Sequence, residues 1–189
     1  MSRRLHPDNL PNLVLIGYRA TGKTAVGARL AEILGYPFVD LDRVLVQEAG
    51  EPIVDIVAKG GWPEFRRREK ELVARLRHTQ GQVLATGGGV VLDSDNVAAL
   101  RENGIIIWLT ADAETIQARL TQDQPQDANR PSLTGGDTIR EVAEVLKQRY
   151  PLYQAAAQIT VDTTHRAVAQ VVETVLAAVK LKEAENLGG

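Results

Sequence analysis

The octapeptide Gly17-Tyr18-Arg19-Ala20-Thr21-Gly22-Lys23-Thr24 constrains this chain more than any other stretch. It has the spacing G-x-x-x-x-G-K-[ST], a phosphate-binding loop that works only between a strand and a helix. Both flanks suit it: the apolar run Leu13-Val14-Leu15-Ile16 reads as the strand, and the helix-period segment from Ala25 to Leu34 as the helix. Glycines let backbone amides turn inward, and the helix adds its positive N-terminal end. Gly17, Ala20, Thr21, Gly22, Lys23, Thr24 and Ala25 are therefore the expected nucleotide-binding residues. Lys23 would reach the β- and γ-phosphates, and the Thr24 hydroxyl would ligate Mg²⁺. A chance glycine turn is the alternative, and the flanking strand and helix argue against it.

Apolar runs at 12–16, 38–39, 83–85, 105–109 and 159–161 alternate with helical patterns at 23–35, 64–79, 94–102, 112–121, 137–157 and 165–180. Such alternation implies βαβ units and a parallel sheet covered on both faces. The expected class is α/β: a P-loop kinase three-layer sandwich with a parallel sheet of about five strands. With 189 residues and 44% hydrophobic content, one domain over 10–181 suffices, flanked by flexible tails at 1–9 and 182–189. Two regions break the alternation. Residues 43–80 hold more helix than one crossover needs and read as a substrate-binding subdomain. Residues 122–136 are polar and rich in turn formers, and read as a lid.

A formal net charge of -2 argues against a nucleic-acid footprint, and the absence of cysteine excludes disulfides and thiolate metal sites. No segment approaches the roughly 18 apolar residues of a membrane span, and residues 1–9 lack the apolar core of a signal peptide. A cytoplasmic monomer acting on small molecules, with no nucleic acid or membrane partner, is the expectation. The three histidines have no metal-ligand spacing.

Five further stretches could carry chemistry. Asp40 and Asp42 leave the second strand on one side, where Asp40 would support Mg²⁺ and Asp42 would accept a hydrogen bond from an acceptor hydroxyl. The alternative is a solvated helix cap, with Asp42 capping a helix from Arg43. Arg66, in Phe65-Arg66-Arg67-Arg68-Glu69, could bind a carboxylate with Glu69 holding it, or could be one of a solvated run. Gly87-Gly88-Gly89 follow a strand, where their amides could bind a substrate anion. Arg130, before Pro131 in the lid, could neutralise charge on a transferring phosphoryl group. Arg149 precedes a proline expected to break its helix, and is either a second carboxylate ligand or a solvated helix-end residue. Trp62 and Trp108 read as packing residues.

In order and spacing, G-x-x-x-x-G-K-T, Asp40-Leu41-Asp42, Phe65-Arg66, Gly87-Gly88-Gly89, Arg130-Pro131 and Arg149-Tyr150-Pro151-Leu152-Tyr153 together resemble the shikimate kinase family over roughly residues 12–180. The resemblance implies transfer of the γ-phosphoryl of ATP to the 3-hydroxyl of shikimate, with Mg²⁺, on the route to aromatic amino acids. It implies Lys23, Asp42 and Arg130 as catalytic residues. ATP falls to Gly17, Ala20 to Ala25 and Arg130, and the metal to Thr24 and Asp40. Shikimate falls to Asp42, Arg66, Gly87, Gly88, Gly89 and Arg149, the two arginines clasping its carboxylate. The departures lie on the adenine side: residues 122–126 lack the early lid arginine, and 161–166 lack a later proline. Arg119 and Arg166 are the substitutes there. Gly61-Trp62-Pro63 is bulkier than is common at the acceptor rim. The alternatives are a kinase of another small hydroxy acid, such as gluconate, and a non-catalytic nucleotide-binding regulator.

Overall fold

The computed structural model describes residues 11–122, 131 and 140–187. Five parallel strands, β1 (Asn12–Ile16), β2 (Phe38–Asp40), β3 (Val83–Ala85), β4 (Gly104–Thr110) and β5 (Ile159–Asp162), form one sheet in the order β2-β3-β1-β4-β5. β1 lies at the centre, with Leu13, Val14 and Leu15 opposite Val83, Leu84 and Ala85 on one side and Ile105, Ile106 and Ile107 on the other. Because side chains alternate along a strand, β1 divides itself between two cores. Val14 and Ile16 join Leu84, Ile106 and Trp108 on one face, against Leu41, Leu45, Phe65 and Leu72. Leu13 and Leu15 join Val83, Ile105 and Ile107 on the other, against Val26, Leu30, Val171 and Val175. A strand buried on both faces reads as a continuous apolar run, as the sequence does here.

The layer on the second face is built from α1 (Lys23–Leu34) and α7 (Val168–Leu187). Gly27 lets α1 sit close to the sheet, since a β-carbon there would stand 2.6 Å from Phe38 Cε2. The opposite layer holds α2 (Leu41–Ala49), α3 (Ile53–Leu76), α4 (Ser94–Glu102) and α6 (Val142–Ala156), while α5 (Ala113–Gln122) packs with α6 beside the sheet. The extra helix expected in 43–80 is α2 and α3, the latter kinked at Gly61, whose φ of 71° and ψ of 177° are not helical.

Two local expectations change. Pro151 lies inside α6 and does not end it. The helix accommodates the missing N–H, and the hydrogen bond from Ala157 N to Tyr153 O closes its last turn. The tail expected from residue 182 begins as helix, because α7 continues to Leu187 through the helix formers Lys182, Glu183, Ala184 and Glu185.

Candidate active site

The carboxyl ends of β1, β2 and β3 open into a cleft of about 830 Å³. Open α/β sheets bind ligands at this edge, where strand order reverses about the first strand. At the end of β1 the loop turns through left-handed conformations at Ala20 (φ 56°) and Gly22 (φ 93°), and Gly17 has a φ of 142°. A β-carbon at Gly17 would overlap the Leu109 carbonyl oxygen of β4. Ala20, Gly22, Lys23, Thr24 and Ala25 line the cleft. Gly17 and Thr21 are not among its walls. The Thr21 side chain is buried and donates to Tyr18 O at 2.9 Å, so it shapes the loop from within. Lys23 Nζ donates to Gly17 O at 2.8 Å and Tyr18 O at 2.6 Å, which holds the ammonium across the loop's mouth.

Thr24 Oγ1 donates to Asp40 Oδ2 at 2.9 Å. Among the described residues no cluster of three or more His, Cys, Asp or Glu could cage a metal. A hydroxyl and one carboxylate at the phosphate end nevertheless suit Mg²⁺, which keeps most of its shell as water and phosphate oxygens. Asp40 also caps α2, accepting from Arg43 N at 3.3 Å. The helix starts at Leu41, so the cap is Asp40 rather than Asp42. Asp42 instead sits in the first turn and lines the cleft.

The far wall carries the arginines. Arg66 Nη1 donates to Glu69 Oε2 at 2.6 Å, and its guanidinium lies 5.4 Å from the Trp62 ring and 5.2 Å from the Phe65 ring. Glu69 is only 1% exposed. Its burial pushes the carboxyl pKa up against the pull of Arg66, and neighbouring Asp42 adds to the rise. Arg67 and Arg68 point elsewhere: both pair with Glu64, and Arg67 also with Glu71. One arginine of three faces the site, as helical geometry requires. Arg149 comes from α6, is buried, and donates from Nη1 to Gly88 O at 3.1 Å.

Two of the three glycines are crowded by their neighbours. A β-carbon on Gly87 would lie 2.9 Å from both Asp42 Oδ1 and Glu69 Oε1, and one on Gly89 would overlap the Arg66 guanidinium. All three glycines line the cleft with Asp42, Arg66 and Arg149. Arg130 lies outside the described residues, as does all of the expected lid except Gln122 and Pro131.

Two features at or behind the cleft wall were not singled out from the sequence. Arg19 is an arginine at a position where the loop pattern accepts any residue, yet it is buried, lines the cleft, and donates from Nη2 to Pro131 O at 2.7 Å. Tyr153 is wholly buried, and its hydroxyl donates to Gly88 O. On the nucleotide side, Arg119 donates to Ala20 O at 3.0 Å and to Thr163 O at 2.7 Å, bracing the phosphate loop against the turn after β5. Arg166 is taken up by Asp162 O, Gln170 O and Thr174 Oγ1. Trp62 stands on the cleft wall, edge-on to Phe65, whereas Trp108 is buried and stacks on Tyr153.

Comparison with known proteins bears on this geometry. The family model for shikimate kinase matches residues 19–180. A shikimate kinase of Symbiobacterium thermophilum is 42% identical over 177 residues, covering 94% of this chain and 99% of that protein. A shikimate kinase 2 of Sodalis glossinidius is 44% identical over 154 residues, covering 81% and 87% respectively. Among solved structures, the shikimate kinase of Acinetobacter baumannii in complex with shikimate superposes with a TM-score of 0.85 at 33% identity. It covers 93% of this chain and 96% of its own.

Proposed function

This chain belongs to the shikimate kinase family, and on that premise we propose that the cleft at the carboxyl edge of its sheet carries the family's reaction. The protein is an ATP-dependent kinase that transfers the γ-phosphoryl group to the 3-hydroxyl of shikimate, giving shikimate 3-phosphate and ADP. Neither a kinase of another small hydroxy acid nor a non-catalytic regulator is favoured by that membership. The observation that carries the assignment of residues is convergence. The phosphate loop, Asp40 and Asp42, and the Arg66–Arg149 pair with its three glycines all line one cavity.

ATP would lay its phosphates on the amides of 17–25, at the positive end of α1. Lys23 would exchange Gly17 O and Tyr18 O for phosphate oxygens as the nucleotide enters. Mg²⁺, held by Thr24 and Asp40, would supply charge neutralisation on the phosphates. Asp42 would accept the hydrogen bond of the attacking hydroxyl, and Arg130 would close on the phosphoryl group from the lid. Arg66 and Arg149, each a planar fork, would take the shikimate carboxylate with the amides of Gly88 and Gly89. Such a site works by holding the reactants in line and stabilising charge. Burial of the acceptor would keep water from competing for the phosphoryl group.

We take the enzyme to be a cytoplasmic monomer acting on two small molecules, with no nucleic acid or membrane partner. Among the described residues, no helix is long and apolar enough to cross a membrane. The test is ADP release from Mg·ATP by the purified protein with shikimate, gluconate, quinate or no acceptor. Release stimulated by shikimate alone is the expected result. Equal stimulation by gluconate, or none by shikimate with ATP binding intact, would overturn the acceptor assignment.

A further inference from the structure

The Gly88 carbonyl accepts two hydrogen bonds from one helix, from Arg149 Nη1 at 3.1 Å and from the Tyr153 hydroxyl. The two donors are one turn apart on α6, so they meet the same peptide. Their situations differ. Arg149 lines the cleft. Tyr153 is wholly buried and stacks on Trp108, with ring centroids 5.7 Å apart and planes 20° from parallel. Burial pushes its phenol up to about 12, so it remains a protonated donor across the working pH range.

Two consequences follow for the Gly88–Gly89 peptide. It is trans, since the described residues contain no cis bond, and a trans peptide points its N–H opposite to its C=O. With Gly88 O drawn toward α6, the Gly89 N–H faces away from that helix. Arg66 abuts the α-carbon side of Gly89, where a β-carbon would overlap its guanidinium. Moreover, Arg149 holds this carbonyl through Nη1, and any turn that takes Nη1 to a ligand releases it. A peptide oxygen left without a donor in a dry site resists that release. A second, fixed donor removes the resistance.

We infer that Tyr153 is a positioning residue for acceptor binding: its hydroxyl fixes the Gly88–Gly89 peptide and frees Arg149 to pair with the acceptor's carboxylate. The inference rests on the carboxylate role proposed above for Arg149. It assigns Tyr153 no contact with substrate.

The test compares wild type, Tyr153→Phe, Arg149→Ala and the double variant, using shikimate and the same ring triol lacking its carboxylate. Phenylalanine keeps the stack on Trp108 and removes only the hydroxyl. Tyr153→Phe should raise the shikimate KM on the order of tenfold, the effect of one buried acceptor losing its donor. The change in kcat should be much smaller, and the KM for ATP should not move. Tyr153→Phe should not affect the KM of the carboxylate-free triol, and its effect on the shikimate KM should be smaller once Arg149 is alanine. An unchanged shikimate KM, or an equal loss with the carboxylate-free triol, would overturn the inference and leave Tyr153 as packing. Arg149→Ala with a normal shikimate KM would instead remove the carboxylate role itself. The two failures are distinguishable because they appear in different variants.

Discussion

Replacing Gly89 with alanine places a β-carbon in the space held by the Arg66 guanidinium, the tightest such contact among the described glycines. The backbone offers no objection, because Gly89 has φ -105° and ψ 6°, values that alanine adopts. The obstacle is also the tip of a flexible side chain, so the fold can yield by moving Arg66 aside. What is lost is the placement of that guanidinium, which is set by Glu69 at 2.6 Å and by the faces of Trp62 and Phe65. A hydrogen bond to a charged group contributes about 1.5–3 kcal/mol, which at 1.4 kcal/mol per decade is a factor of about 10 to 150. The shikimate KM of Gly89→Ala should rise within that range. The KM for ATP should hold, and the melting temperature should change little. Steady-state ADP release with each substrate varied in turn, beside a thermal melt, measures all three. A shikimate KM within about twofold of wild type would show that Arg66 has no part in holding the carboxylate, since that reasoning requires a loss of at least ~1.5 kcal/mol.

Other perturbations separate the remaining parts. Lys23→Ala removes the ammonium that bridges Gly17 O and Tyr18 O, and should lower kcat by about 10²–10³, as loss of one charge-stabilising donor does; near-normal turnover would contradict its place at the phosphates. Gly27→Ala drives a methyl to 2.6 Å from Phe38 Cε2 and 3.1 Å from Leu15 Cδ1. Overpacking of about 1–3 kcal/mol should exceed the helix-propensity gain of about 1 kcal/mol, so the urea midpoint should fall; a higher midpoint would mean that α1 slides freely on the sheet. Glu69→Gln tests the buried carboxyl. Its pKa is raised in the folded state, so its contribution to stability is complete below the ordinary value of 4.5 and is lost as pH climbs through the raised one. The stability of Glu69→Gln relative to wild type should therefore improve as pH rises above the ordinary value of 4.5. A constant difference in urea unfolding would mean that Arg66 cancels the effect of burial, and a difference that worsens with pH that Arg66 outweighs it.

The framework of this protein was legible because its signals are local and periodic. The phosphate loop declared itself through glycine spacing, and β1 through an unbroken apolar run that only a strand buried on both faces needs. Helix limits were less legible where one residue opposes its neighbours. Pro151 reads as a stop, yet the packing of Tyr153 and Arg149 around it keeps α6 whole. Arg66 could not be told from Arg67 and Arg68 by pattern, because the kink at Gly61 sets which way that stretch of α3 faces. Arg19 was hidden by a motif that is indifferent at its position. The hydroxyl of Tyr153 gave no signal, since its acceptor lies 65 residues away.

The division of β1 between two cores has a bearing on how such an enzyme can diversify. The phosphate loop's own helix, α1, is packed with α7 on one side of the sheet, while α2 and α3, which bring Asp42 and Arg66, belong to the other. Substitutions that reshape the acceptor wall therefore fall in a layer whose packing α1 does not share. An ancestral lineage could exchange one acceptor for another by rewriting that layer alone, inheriting its nucleotide grip unaltered.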